Sequence, residues 1–126
     1  LLFSNKVYDE IIEILTLHQQ SIAWDTLGIA KQKRIAASPQ FDGTLSIIQG
    51  EDRATFVHIK SRITELEVTG LAPDRLINGH DLMQAGIEPS ATLGGVLEAV
   101  YDAQLEGAIR TQTEAIALAL SIYRDF

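Results

Sequence analysis

Apolar residues recur every three or four positions along almost the whole of this 126-residue chain. Such spacing places them on one face of an α-helix, whereas a half-buried strand alternates apolar and polar residues with a period of two. No stretch shows convincing period-two alternation, and no internal repeat or low-complexity tract is present. We therefore predict an all-α fold, a multi-helical array of two small helical subdomains.

The first helix is predicted to open at Ser4 or Asn5, because both residue types favour the N-cap. Its apolar stripe is formed by Val7, Ile11 and Ile14, and the next position on the same face is a polar residue, His18. A loop is expected around residues 21–27, where Trp24 would fill a gap between helices.

A short second helix is predicted over residues 28–37. It ends before Pro39, since the residue preceding a proline is displaced from the helical region. The longest predicted helix runs from Phe41 to about Val68, with a kink expected near Gly50 because glycine weakens a helix interior. Position 52 of its buried stripe is an aspartate.

The sequence 70–73, Gly-Leu-Ala-Pro, is the best candidate for a boundary, because Gly and Pro punctuate the chain. We expect subdomains over residues 1–70 and 71–126. In the second subdomain, Asn78 is a predicted N-cap whose helix ends at Gly86, and Thr111 with Glu114 forms a predicted capping box.

Composition limits where the chain acts. No run approaches the roughly 18 consecutive apolar residues of a membrane span, and cysteine is missing, which fits a reducing compartment. We expect a cytoplasmic chain. It starts without an initiator Met, so we also expect it to begin inside a longer polypeptide.

The net charge of −7 disfavours RNA binding through the bulk field of the molecule. RNA contacts would therefore have to use local cations of residues 1–70. The candidates are Lys31, Lys33, Arg34, Arg53, Lys60 and Arg62.

His18 and Asp52 are polar residues at positions where the helical period expects hydrocarbon. Buried ionisable groups need partners, so we expect either structural hydrogen bonds, with a bond between the two as one arrangement, or parts of a metal or proton-transfer site. Two ligands are too few for a closed metal site. The neighbouring pair His80-Asp81 is better explained by helix capping than by metal binding.

Five segments of the second half together form a recognisable pattern, and they are Leu76–Leu82, Ala85–Pro89, Leu93–Leu97, Ala103–Ile109 and Thr113–Ala115. On these residues the second half of the chain resembles the C-terminal region of CCA-adding tRNA nucleotidyltransferases and bacterial poly(A) polymerases. The family pattern there has a glycine followed by Asp-Leu, a Gly-aliphatic-x-Pro turn, a Leu-x-Gly-x-Ile segment and a Thr-x-Glu cap.

The first half is similar to the helices that link the polymerase head of those enzymes to their tail. The residues concerned are Phe3-Ser4-Asn5, Leu17-His18, Lys33-Arg34-Ile35, Ser38-Pro39-x-Phe41 and Glu51-Asp52. In members that carry a metal-dependent phosphohydrolase (HD) domain, an aspartate at the Asp52 position resembles the last metal ligand.

The resemblance implies a body and tail that hold tRNA by shape and backbone contacts. It also implies that Mg²⁺ and nucleotide belong to a missing N-terminal head, so that the parent is a nucleotidyltransferase and this piece has no catalytic residue or cofactor of its own. Glu88-Pro89-Ser90-Ala91 departs from the family's basic-Pro-Gly-Pro turn. We therefore expect the tail to serve packing or homodimerisation.

Two alternatives remain open. The first is a remnant of an HD phosphohydrolase module in which Asp52 and His18 are surviving metal ligands. The second is a helical oligomerisation module whose exposed apolar face pairs with a copy of itself.

Overall fold

A computed structural model describes residues 4–125 of the chain, so the motif residue Phe3 lies outside the described part. Over these residues the structure contains seven α-helices and a short 3-10 turn, and it has no strand. The predicted all-α fold is confirmed. In chain order the helices are α1 Asn5–Ile22, α2 Ile29–Ala37, α3 Phe41–Glu51, α4 Arg53–Glu67, α5 Gly79–Gln84, α6 Ala91–Leu105 and α7 Gln112–Arg124, with the 3-10 turn Trp24–Thr26 between α1 and α2.

The chain divides into two compact units, residues 1–72 and 73–126. The first contains α1–α4 and the second α5–α7. The division falls two residues after the boundary predicted from Gly and Pro. Gly70 has a φ of 88°, a left-handed conformation that glycine adopts without steric cost.

The core of the first unit is a cluster of apolar side chains from all four helices and the 3-10 turn. Trp24 is buried as predicted, and its ring stacks on Phe41 with the centroids 6.3 Å apart. The fully or nearly buried members are Leu17, Trp24, Ile35, Phe41, Leu45, Ile48, Ile59, Ile63 and Leu66.

The prediction of one long helix from Phe41 to Val68 is wrong. The backbone of Asp52 is extended, with φ −153° and ψ 99°, so it separates α3 from α4. Aspartate favours this arrangement because its carboxylate accepts hydrogen bonds from the free N–H groups of the helix that follows. The apolar stripe continues across the break, which is why its spacing resembles a single helix.

The predicted buried stripe of α1 is also wrong in its first half. Val7 and Ile11 are 38% and 39% exposed, whereas the buried residues of α1 are Leu17 and Ser21. The close contact between α1 and α3 lies further along, where a Cβ added to Gly43 would be 3.2 Å from Ile14 Cδ1. The N-terminal turns of α1 therefore extend beyond the core of their own unit.

The second unit is built around α6 and α7, and its helix starts follow the predicted caps. Asn78 and Asp81 form a capping box, and Gly86 ends α5 with a φ of 101°. Thr111 Oγ1 accepts from the Glu114 N–H, but Glu114 Oε1 accepts from the Arg110 N–H rather than from that of Thr111, so the predicted capping box is present only in its first half. The core residues are Ile77, Leu82, Ile87, Val96, Val100, Ile109, Ala115 and Ala119.

Candidate nucleic-acid interface

The exposed members of the predicted RNA contacts lie on α2 and α4, and the first unit carries a further exposed lysine, Lys6, on α1. Arg53 and Lys60 are exposed and seven residues apart on α4, a separation of two turns that places them on the same side of the helix. Lys31 is exposed on α2, and the half-buried Arg34 follows one turn later. Lys31, Arg53 and Lys60 are the candidates with the greatest access to an RNA phosphate.

Arg62 connects α2 to α4. Its Nε donates to Gln32 Oε1 at 3.4 Å, and its Nη1 lies 2.7 Å from Glu65 Oε2. The Arg62 side chain is 37% exposed. These contacts use two of the five N–H donors of Arg62 and pair its charge with Glu65, so Arg62 supports the packing of α2 on α4.

Lys33 does not belong to an exposed surface. It is 3% exposed, and its ammonium donates to Thr69 Oγ1 at 2.7 Å. Burial lowers the pKa of Lys33 below its usual value of 10.5. We had predicted an RNA contact here, but the helical period turns position 33 towards the core while positions 31 and 34 face outward.

The structure gives His18 and Asp52 different partners. His18 Nε2 lies 2.5 Å from Glu51 Oε1, so the expected pairing falls one residue earlier in the chain. Asp52 Oδ1 accepts from the amides of Ala54 and Thr55, and its Oδ2 accepts from the Thr55 hydroxyl at 2.7 Å. These contacts favour helix capping over metal ligation.

The cap around Asp52 also sets its ionisation. The hydrogen bond from the Thr55 hydroxyl, followed by that from the Thr55 amide, holds the pKa of Asp52 below its usual value of 3.8. Asp52 is therefore a carboxylate at neutral pH, and its charge lies at the amino end of α4. Among residues 4–125, no group of three or more His, Asp or Glu side chains is arranged to hold a metal ion.

Within the described part of the first unit, residues 4–72, two buried polar atoms have no hydrogen-bond partner. They are Ser21 Oγ and Trp24 Nε1, in residues that are 0% and 2% exposed. An unpaired buried donor costs about 1–3 kcal/mol. The sequence predicted burial of Trp24 but gave no signal for Ser21, because a serine near the end of a helix is ordinarily read as exposed.

The family model described as tRNA nucleotidyltransferase domain 2 matches residues 1–120. The chain belongs to this family. The match includes both units, and it confirms the resemblance to the C-terminal region of a tRNA nucleotidyltransferase or poly(A) polymerase. No curated protein and no solved structure gives a significant match to the chain.

Membership of the tRNA nucleotidyltransferase domain 2 family supports a tRNA nucleotidyltransferase-like body domain. The family implies interaction with tRNA or other RNA through the parent protein. Between residues 4 and 125, no helix is long and apolar enough to cross a membrane.

Proposed function

We propose that this chain positions tRNA, or an RNA of similar form, for a nucleotidyltransferase head that binds Mg²⁺ and nucleotide. In this proposal the chain makes no bond itself. It acts in the cytoplasm, and its contribution is to hold the RNA backbone so that the 3′ end reaches the head.

The observation that carries the proposal is the placement of Lys31, Arg53 and Lys60 on the exposed sides of α2 and α4 in a chain of this family. Cations attract RNA phosphates, and A-form RNA is recognised mainly through its backbone and shape. The net charge of the chain is −7. Local cations therefore supply the attraction, and the surrounding acidic surface limits unspecific binding.

The proposal is tested by measuring tRNA binding to the full chain and to Lys60→Glu. We expect Lys60→Glu to bind tRNA more weakly. The slope of log Kd against log salt concentration should also be smaller, by about the amount that one phosphate contact contributes. Arg110→Glu is the matched control, because it makes the same charge change at an exposed arginine of the second unit. Equal losses in the two variants would show a bulk-charge effect and would contradict an interface on α2 and α4.

A second candidate function is self-association through α1. Tyr8, Ile12, Leu15 and Ile22 are 57%, 46%, 56% and 69% exposed. Their spacings of four, three and seven place them on a seam of the kind that pairs two helices. Light scattering at two concentrations tests this candidate. A concentration-dependent mass that Leu15→Lys abolishes would support it, and a strict monomer would exclude it.

A further inference from the structure

The two units are joined by a connecting segment, residues 68–78, that contains no helix and includes the boundary between the units. Glycine and proline punctuate this segment, and stretches of that composition between domains are ordinarily flexible linkers. The groups of this connecting segment are nevertheless fastened, one half to the first unit and the other half to the second. Its freedom is therefore smaller than its composition indicates.

The first half of the connecting segment is held by the first unit. The ammonium of Lys33 donates to Thr69 Oγ1 at 2.7 Å, and the Gly70 N–H donates to the carbonyl of Glu67 at 3.1 Å. Leu71 packs against the apolar core of the same unit. The main chain is therefore held against the first unit as far as Leu71.

Two side chains of α6 hold the second half of the connecting segment. The Tyr101 hydroxyl donates to the Pro73 carbonyl at 2.8 Å. Gln104 holds two further groups, because its Nε2 donates to the Asp74 carbonyl at 2.7 Å and its Oε1 accepts from the Leu76 N–H at 3.1 Å. These hydrogen bonds to the main chain begin at Pro73, the first residue of the second unit.

Arg75 fastens the same stretch through its own side chain. Its Nη2 lies 2.8 Å from Glu98 Oε1, and its Cζ lies 4.3 Å from the centroid of the Tyr101 ring. The side chains of Arg75 and Glu98 are 39% and 53% exposed, so the ion pair by itself contributes little. The contact with the aromatic ring adds a cation–π attraction. The second half of the connecting segment is thus held to α6 by side chains from both partners.

Ala72 is the residue between the two fastened halves, and it is exposed. It precedes Pro73, whose ring fixes its own φ at about −65°. A proline also keeps the residue before it out of the helical region and in the extended one. Rotation at this joint is therefore restricted to the extended range of a single residue.

We propose that the connecting segment is stiff, and that turning of one unit against the other is confined to the backbone of Ala72. Tyr101 and Gln104 are the positioning residues of this device, since they hold the main chain on α6 and make the second unit move as one body from Pro73 onward. This inference goes beyond the proposed function and does not depend on RNA binding.

NMR relaxation of the backbone amides in the full chain tests the proposal. We expect Gly70, Asp74 and Leu76 to have order parameters of about 0.85, the value of rigid backbone, and Ala72 to have the lowest value in the connecting segment. Values below about 0.6 throughout residues 70–77 would show a flexible linker and would overturn the proposal. An Ala72 value as high as that of the helices would overturn it as well, because no joint would then be present.

Two double variants test the fastening on α6. Tyr101→Phe with Gln104→Leu removes the three hydrogen bonds to the main chain, whereas Tyr123→Phe with Gln84→Leu makes the same chemical changes on α7 and α5. Circular dichroism establishes that both remain helical. We expect the first variant to lower the order parameters of residues 74–76 from about 0.85 to below about 0.6, and the second to leave them as in the parent chain. Equal order parameters in the two variants would contradict the assigned role of Tyr101 and Gln104.

Discussion

The side-chain carboxylate of Asp52 caps the start of α4 in the middle of the first unit. Its two oxygens accept from the Thr55 hydroxyl and from the amides of Ala54 and Thr55, which starts α4 and lowers the pKa of Asp52. Because the folded state favours the ionised form, this contribution to stability is present above the unfolded pKa. It is lost as the pH falls through the lower, folded value.

Replacement of Asp52 by asparagine should therefore have a pH-dependent effect. At pH 7 we expect Asp52→Asn to melt at a lower temperature than the parent chain, and as the pH falls below the usual pKa of 3.8 the difference should shrink as the parent loses its own charge. Thermal unfolding followed by circular dichroism checks this. Asp9→Asn removes an exposed charge of α1 with no capping role and should show no such convergence. A constant difference for Asp52→Asn at all pH values would contradict the prediction.

Ser21 and Thr44 are two fully buried hydroxyl residues with different surroundings. Thr44 Oγ1 lies 3.3 Å from the carbonyl oxygens of both Ile14 and Gln40, which share its single proton, whereas Ser21 Oγ has no hydrogen-bond partner among residues 4–125. Thr44→Val should cost about 1 kcal/mol of unfolding free energy, and Ser21→Ala should cost nothing or stabilise the chain. Urea unfolding measures both. A larger loss for Ser21→Ala than for Thr44→Val would show that the Ser21 hydroxyl is paired in solution.

At the scale of elements, two lysines of α2 only two positions apart have different roles, one at the surface and one in the packing of the unit. Lys31 is exposed, and Lys33 is buried with its ammonium on Thr69. The sequence predicts RNA contacts at both lysines, since a basic run of this length has no periodicity that tells one face of the helix from the other. Packing of α2 on α4 decides which lysine faces outward.

Lys33→Met should leave tRNA affinity unchanged and alter stability instead. Burial lowers the pKa of Lys33, so at neutral pH the folded state bears the full cost of desolvating the ammonium. That cost falls as the pH rises towards 10.5, where the parent chain gains stability and the methionine variant does not. Filter binding and thermal unfolding at pH 7 and pH 10 measure the two effects. A loss of tRNA binding by a correctly folded Lys33→Met would contradict the placement of this residue.

Most of the helices are predictable from the sequence, because the residues next to each helix end determine where it begins and stops. The predictions of Asn78 and Thr111 as N-caps and of Gly86 as a helix end are confirmed, because caps and left-handed glycines depend on a few adjacent residues. The reciprocal bond predicted from Thr111 to Glu114 comes instead from the Arg110 N–H. The break at Asp52 was missed because the apolar stripe keeps its spacing across it. The burial of Ser21 was also missed, since it depends on how α1, the 3-10 turn and α4 meet in space.

At the scale of the whole molecule, the two units have separate cores and are expected to fold independently. The core of residues 1–72 contains Trp24 and Phe41, and that of residues 73–126 is built from smaller aliphatic side chains. Expressed alone, both should give helical circular dichroism. The shorter unit should be the less stable, since small domains bury a smaller fraction of their surface. An unfolded circular dichroism spectrum for residues 1–72, or a melting curve without a cooperative transition, would contradict independent folding.

The central claim is that α2 and α4 of this chain hold an RNA backbone through Lys31, Arg53 and Lys60. The most direct measurement is the affinity of the full chain for tRNA across a series of salt concentrations. The account predicts a log–log slope of about −3 for contacts with three phosphates, reduced by about one unit in each single glutamate variant. A slope near zero, or the same slope in the parent chain and in Lys31→Glu, Arg53→Glu and Lys60→Glu, would contradict it.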